Sequence, residues 1–217
     1  GNFVATESND RHIELLQILT FIQFIFYGFS FVCLSTLLNR FITIWIGKKY
    51  LLDFYTVLII SLNFYIVGIL SPIWTFRTTM GLFKYGKYRP IFTAIINLVI
   101  SIVLGKSIGI IGVLLGTTIS RLFTNVWFDP YIVYKYGFKE KCDKYLMRMS
   151  IYVGVCLIDI FIIKLLLSKI SYSFIGLILA LIINIIVFII SILFFYKTFE
   201  FKYLVNKLRQ VLSKFIS

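Results

Sequence analysis

Carboxylates are scarce in this chain: nine Asp and Glu stand against 22 Lys and Arg. Metal-assisted or general-base catalysis calls for acids gathered in an aqueous loop. Here Glu7, Asp10 and Glu14 crowd the first stretch, and Glu140 with Asp143 lies in a basic loop, which is too little for a catalytic pair. The sequence is therefore read as a non-enzyme. Cysteine is limited to Cys33, Cys142 and Cys156, with no pair at metal or redox spacing, so these are read as small apolar fillers. His12 is the single histidine and sits at the edge of an apolar stretch, an interfacial residue rather than a ligand or base. No metal and no cofactor is expected. The glycines from Gly105 onward follow no strand, which argues against a phosphate-cradling loop. Proline is rare, so little interrupts long helices.

What the chain does have is apolar length. It is 60% hydrophobic and 18% aromatic, with a mean hydropathy of +0.96, more apolar surface than a soluble domain of this size can hide. Six stretches carry it: 12–38, 54–75, 88–104, 108–128, 145–167 and 172–196. A bilayer core about 30 Å thick asks for roughly 20 apolar residues per spanning helix. Lipid offers the backbone no partners, so each stretch is expected to be helical. The fold class is all-α integral membrane with six transmembrane helices. Pro72 is expected to kink the second helix, and Asp129-Pro130 to end the fourth, because the residue before a proline avoids helical geometry.

The positive charge is patterned. If the chain start defines one side, that side collects fifteen Lys and Arg and the other collects five; Arg121 and Lys164 fall inside spans. Positive loops stay cytoplasmic, so both termini are expected to face the cytoplasm. The net charge of +13 is read as facing anionic headgroups, not nucleic acid. Beyond the sixth span, Phe201, Leu204, Val205, Leu208, Leu212 and Phe215 recur at helical spacing, with Lys202, Asn206, Arg209 and Ser213 on another face. This predicts a basic amphipathic helix on the inner leaflet; a frayed soluble tail is the competing reading.

Charged groups inside a membrane cost at least about 2.5 kcal/mol each and are the first candidates for function. Arg121 lies well inside span four. It either snorkels to the cytoplasmic face about seven residues away, at ~1.5 Å each, or lines a polar cavity where its guanidinium grips a phosphate. Asp159, in span five, either meets Arg121, binds a coupling cation, or sits protonated. Asn63, Asn97, Asn125 and Asn184 suit interhelical hydrogen bonds or a sugar path. The loop from Phe76 to Pro90 mixes Arg77, Lys84, Lys87 and Arg89 with aromatics, which suits a phosphate-sugar headgroup and equally anionic lipid. Gly112, Gly116 and Ser120 are spaced by four and share a face, a surface for close helix packing.

Gly1-Asn2 with Ala5-Thr6-Glu7-Ser8, Phe41-Ile42-Thr43-Ile44-Trp45-Ile46-Gly47 and Asn63-Phe64-Tyr65-Ile66 resemble segments of Wzx-type polysaccharide flippases. So do Thr75-Phe76-Arg77, Met80-Gly81-Leu82-Phe83, Arg89-Pro90 and Asn97-Leu98-Val99-Ile100-Ser101-Ile102. The order continues through Gly109-Ile110, Gly112-Val113, Gly116-Thr117 and Ile119-Ser120 to Pro130 and Tyr134-Lys135. The resemblance covers most of residues 1–150 and implies the multidrug/oligosaccharidyl-lipid/polysaccharide exporter superfamily, two helical lobes working by alternating access. The chain also lacks an initiating Met and is expected to be the rear part of a longer protein. On that likeness 1–130 is a four-helix part of the second lobe of a MATE-like exporter fold. Residues 131–196 are two trailing transmembrane helices and 197–217 the cytoplasmic amphipathic tail. The implied function is flipping of undecaprenyl-pyrophosphate-linked oligosaccharide across the bacterial cytoplasmic membrane, for surface polysaccharide such as capsule or lipopolysaccharide. The implied substrate-binding residues are Arg121, Arg77, Asn97, Asn125 and Asp159, and the implied partners the lipid-linked oligosaccharide, membrane lipid and a coupling cation. A cation-coupled small-molecule exporter of the same superfamily, a membrane polysaccharide polymerase and a structural membrane subunit are the alternatives.

Overall fold

The computed structural model describes residues 8–216, and the side chains of 8–213. The resemblance at Gly1-Asn2 and Ala5-Thr6-Glu7 lies outside the described residues, as do the side chains of Lys214 and Phe215. Six helices are long and apolar enough to cross a bilayer: α1 Asn9–Trp45, α2 Phe54–Thr79, α3 Arg89–Ile108, α4 Ile110–Phe138, α5 Asp143–Leu167 and α6 Phe174–Leu193. A seventh, α7 Phe199–Ile216, comes after them. Among the described residues there is no strand. The chain is an all-α, multi-pass membrane protein.

Side-chain caps start two of these helices. The Asp53 carboxylate accepts from the amides of Tyr55 and Thr56, at 2.9 and 3.1 Å, and caps α2. Donation from the Thr56 hydroxyl and amide holds the Asp53 pKa below its ordinary value, so this cap weakens as pH falls and the carboxylate protonates. Ser173 caps α6 through the amide of Gly176. The turn from α3 to α4 rests on Gly109, whose φ of +68° and ψ of −143° suit glycine alone.

The helix expectations need two corrections. Asp129-Pro130 does not end the fourth span; α4 runs on to Phe138. A π-turn at Leu122–Val126 and the break at Trp127 restart the helix at Phe128, so Pro130 falls in a first turn, where its missing N–H has no intrahelical role. The first span does not stop at residue 38 either. α1 continues through Phe41 to Trp45, and at about 1.5 Å per residue its 37 residues are far longer than a bilayer core. α2 runs through Pro72 to Thr79.

Two ends of the bundle can be told apart. At one, His12 packs on Phe76 and Phe138, Tyr85 stacks on Tyr136 at 3.8 Å, and buried Glu200 of α7 pairs with Arg148 of α5. This end gathers the α1 start, the α2–α3 and α4–α5 connections and α7. At the other end Arg40, 5% exposed, donates to the carbonyls of Leu167, Ile170 and Ser171 and lies over the Tyr172 ring. It closes the C-terminus of α5 in place of a cap. Arg40→Met keeps the bulk and strands those carbonyls. It is expected to cost about 1.5–3 kcal/mol, read as a lower midpoint on unfolding the detergent-purified protein.

The core lies between α1, α2, α5 and α6. Phe24 stacks on Tyr152 at 4.3 Å, with Phe21, Phe188 and Phe195 around them. α3 is different. It packs chiefly on α4 and buries no residue.

Candidate functional site

Polar side chains succeed one another along the α3–α4 seam. Ser101 donates to Asn97, and Asn97 donates to Thr117 and Ser120 at 3.2 and 3.4 Å. The hydroxyls of Thr93 and Thr124 lie 2.9 Å apart. The seam ends at Asp129, which is fully buried. Its Oδ1 accepts from Arg77 Nη1 at 2.8 Å, and its Oδ2 accepts from Arg89 Nη1 at 2.7 Å and Trp74 Nε1 at 2.8 Å. The second Arg77 nitrogen, Nη2, donates to the Tyr85 carbonyl. One carboxylate thus ties together α2, the α2–α3 connection, α3 and α4.

An open groove of about 640 Å³ runs beside this seam, lined by Arg89, Thr93, Asn97 and Asn125. The π-turn of α4 contains both Thr124 and Asn125. Such a turn widens the helix locally and recurs at functional sites. A neighbouring hollow of about 420 Å³ shares Arg89 and Pro90 with the groove and adds Arg77, Thr78 and Lys87. Arg89 therefore faces both spaces.

The five sequence-predicted residues fall in four places. Asn97 and Asn125 share the groove, and Arg77 lines the adjoining hollow. Arg121 lies apart, half-buried between α4 and α2. Its Nη1 donates to the backbone and side-chain oxygens of Asn63, at 3.2 and 3.1 Å, and Asn63 donates on to Thr118. Asp159 is on the far side, 1% exposed. It accepts from Ser191 at 2.6 Å, and its Oδ2 has no hydrogen-bond partner among the described residues. Arg121 and Asp159 do not meet. Asn184 is an interhelical bond-maker, accepting from Thr36 at 2.9 Å. Lys164 lies over the Phe54 ring at 3.4 Å.

Sequence reasoning passed over Arg89 and Asp129 as a pair. A signal for them existed. Arg89 lies twenty residues before Gly109 and Asp129 twenty after, so a hairpin turning at that glycine sets them opposite each other. Among the described residues no three His, Cys, Asp or Glu gather as a metal site would require.

Fold and site together define a multi-pass helical membrane protein with a polar, cation-ended groove on one hairpin. No protein-family model, curated protein or solved structure matches the chain.

Proposed function

We propose that this protein carries a polyprenyl-diphosphate-linked oligosaccharide between the leaflets of a bacterial cytoplasmic membrane, as part of a MATE-like exporter working by alternating access. The observation that carries this reading is the groove itself. Side chains such as Arg89, Thr93, Asn97 and Asn125 are costly against hydrocarbon, so a hairpin that displays them along one groove serves a wet passage. Its volume falls in the range of ligand sites, about 300–1,000 Å³. Amide and hydroxyl groups suit sugar hydroxyls, and the cations at one end suit a phosphate. The prenyl tail stays in lipid, against the apolar faces of α5 and α6.

The charge pattern supports an orientation with the Arg77, Arg89 and α7 end in the cytoplasm, which puts both ends of the chain there. The lipid-linked sugar, made on that side, then enters at the cationic end. Arg121, held by Asn63, is the next cation along α4.

The test is export in cells. Arg121→Ala and the pair Asn97→Ala with Asn125→Ala, each in the full-length protein, are expected to lower surface polysaccharide about ten-fold or more at unchanged protein level, the equivalent of one charged hydrogen bond lost from the transported state. Normal export in both would remove the groove and Arg121 from the transport path.

A further inference from the structure

We infer that Arg77, Lys87 and Arg89 form a diphosphate-binding site, with Asp129 as the built-in anion that competes with the ligand for Arg89. The assignment rests on the carrier function above for the ligand's source, and its chemistry stands on the hollow alone.

Three cationic side chains and the hydroxyl of Thr78 line or border the hollow of about 420 Å³. The carboxylate of Asp129 lies behind the two arginines and neutralises one charge. The hollow therefore keeps surplus positive charge. Arg89 also keeps an unused donor: only its Nη1 is engaged, by Asp129, and among the described residues its Nη2 makes no hydrogen bond. A guanidinium offers its donors in a planar fork matched to phosphate oxygens. Lys87, exposed on the α2–α3 connection with its ammonium over the Tyr88 ring, adds a third charge.

Arg77 and Arg89 are held differently. Arg77 is anchored twice, by Asp129 and by the Tyr85 carbonyl. For Arg89 the side-chain bond among the described residues is the one to Asp129. Arg89 is thus the group able to exchange, turning from Asp129 to an arriving phosphate while Arg77 and Trp74 keep the carboxylate satisfied. Because Arg89 and Pro90 also line the sugar-suited groove, a diphosphate in the hollow sets its attached sugar at the groove mouth.

The experiment is binding of inorganic pyrophosphate to the full-length protein in detergent, by calorimetry, beside farnesyl diphosphate as a short prenyl probe. If Asp129 competes with the ligand, Asp129→Asn binds pyrophosphate about ten-fold more tightly than the unaltered protein, and Arg89→Gln about ten-fold more weakly. Lys87→Gln leaves the buried network intact; it is expected to weaken binding several-fold with an unchanged melting temperature, so the site remains testable if the network variants unfold. Absence of pyrophosphate binding in both the unaltered protein and Asp129→Asn overturns the site. Binding in Asp129→Asn no tighter than in the unaltered protein overturns the competition. Stronger binding of farnesyl diphosphate than of pyrophosphate supports a lipid-linked ligand; equal binding supports a site for the diphosphate alone. Pyrophosphate binding together with normal export in the groove variants would retain this site and remove the groove from the transport path. Lost export without pyrophosphate binding would do the reverse.

Discussion

Asp129→Ala is expected to lower the stability of the detergent-solubilised protein by about 3–5 kcal/mol, the range seen when one partner of a buried ion pair is removed. The carboxylate is fully buried and satisfies Trp74, Arg77 and Arg89 together. Its loss leaves two guanidiniums facing each other, with the indole N–H stranded. Asp129→Asn keeps an acceptor for two of the three donors and is expected to cost less than half as much. The same logic predicts partial rescue. An anion held by the freed arginines substitutes for the carboxylate, so pyrophosphate at a hundred times its dissociation constant should return about 2.7 kcal/mol. Unfolding followed by tryptophan fluorescence, with and without pyrophosphate, reads both effects. An Asp129→Ala protein as stable as the unaltered one would show that the cluster holds nothing together.

How far the molecule could be read from its residues depends on which forces act locally. The six spans were legible because lipid imposes a length and a composition on each helix by itself. Their number and the alternation of Lys and Arg constrain each other. Asp129-Pro130 misled for the same local reason. A proline forbids helix only where its N–H is needed, and the π-turn at Leu122–Val126 put Pro130 where it is not. Helix-to-helix partners were harder. Arg121 finds Asn63, Asp159 finds Ser191 and Glu200 finds Arg148 across wide separations, and nothing in one chain's periodicity selects such pairs. The hairpin is the exception. Thr93 and Thr124, and Asn97 and Ser120, are nearly equidistant from Gly109, so its register was written in the spacing. Asn97, twelve residues before Gly109, and Asn125, sixteen after, stand one turn out of that register yet line one groove, whereas Arg121, twelve after, turns to Asn63 and Asp159 lies elsewhere.

The hairpin register is also where a single methyl group should do most harm. Lipid supplies no hydrophobic drive to press α3 on α4, so contact depends on close backbone approach. A Cβ at Gly112 would stand 2.1 Å from the Leu104 carbonyl oxygen, and one at Gly116 would stand 2.8 Å from the Ser101 amide nitrogen. Those obstacles are backbone and cannot swing aside. Gly112→Ala is expected to cost about 1–3 kcal/mol as an overpacked contact, and Gly116→Leu more, because it must push the helices apart. The separation should be visible directly. In a background with Cys33, Cys142 and Cys156 replaced, cysteines at 93 and 124 should cross-link readily, since the native hydroxyls lie 2.9 Å apart. Gly116→Leu should abolish that cross-link and export with it. Gly154→Ala is the control: no atom lies within 4 Å of its added Cβ, and alanine favours helix, so stability and cross-linking should hold or improve. Retained cross-linking in Gly116→Leu would mean that α3 and α4 tolerate separation, and that the groove between them does not depend on their contact.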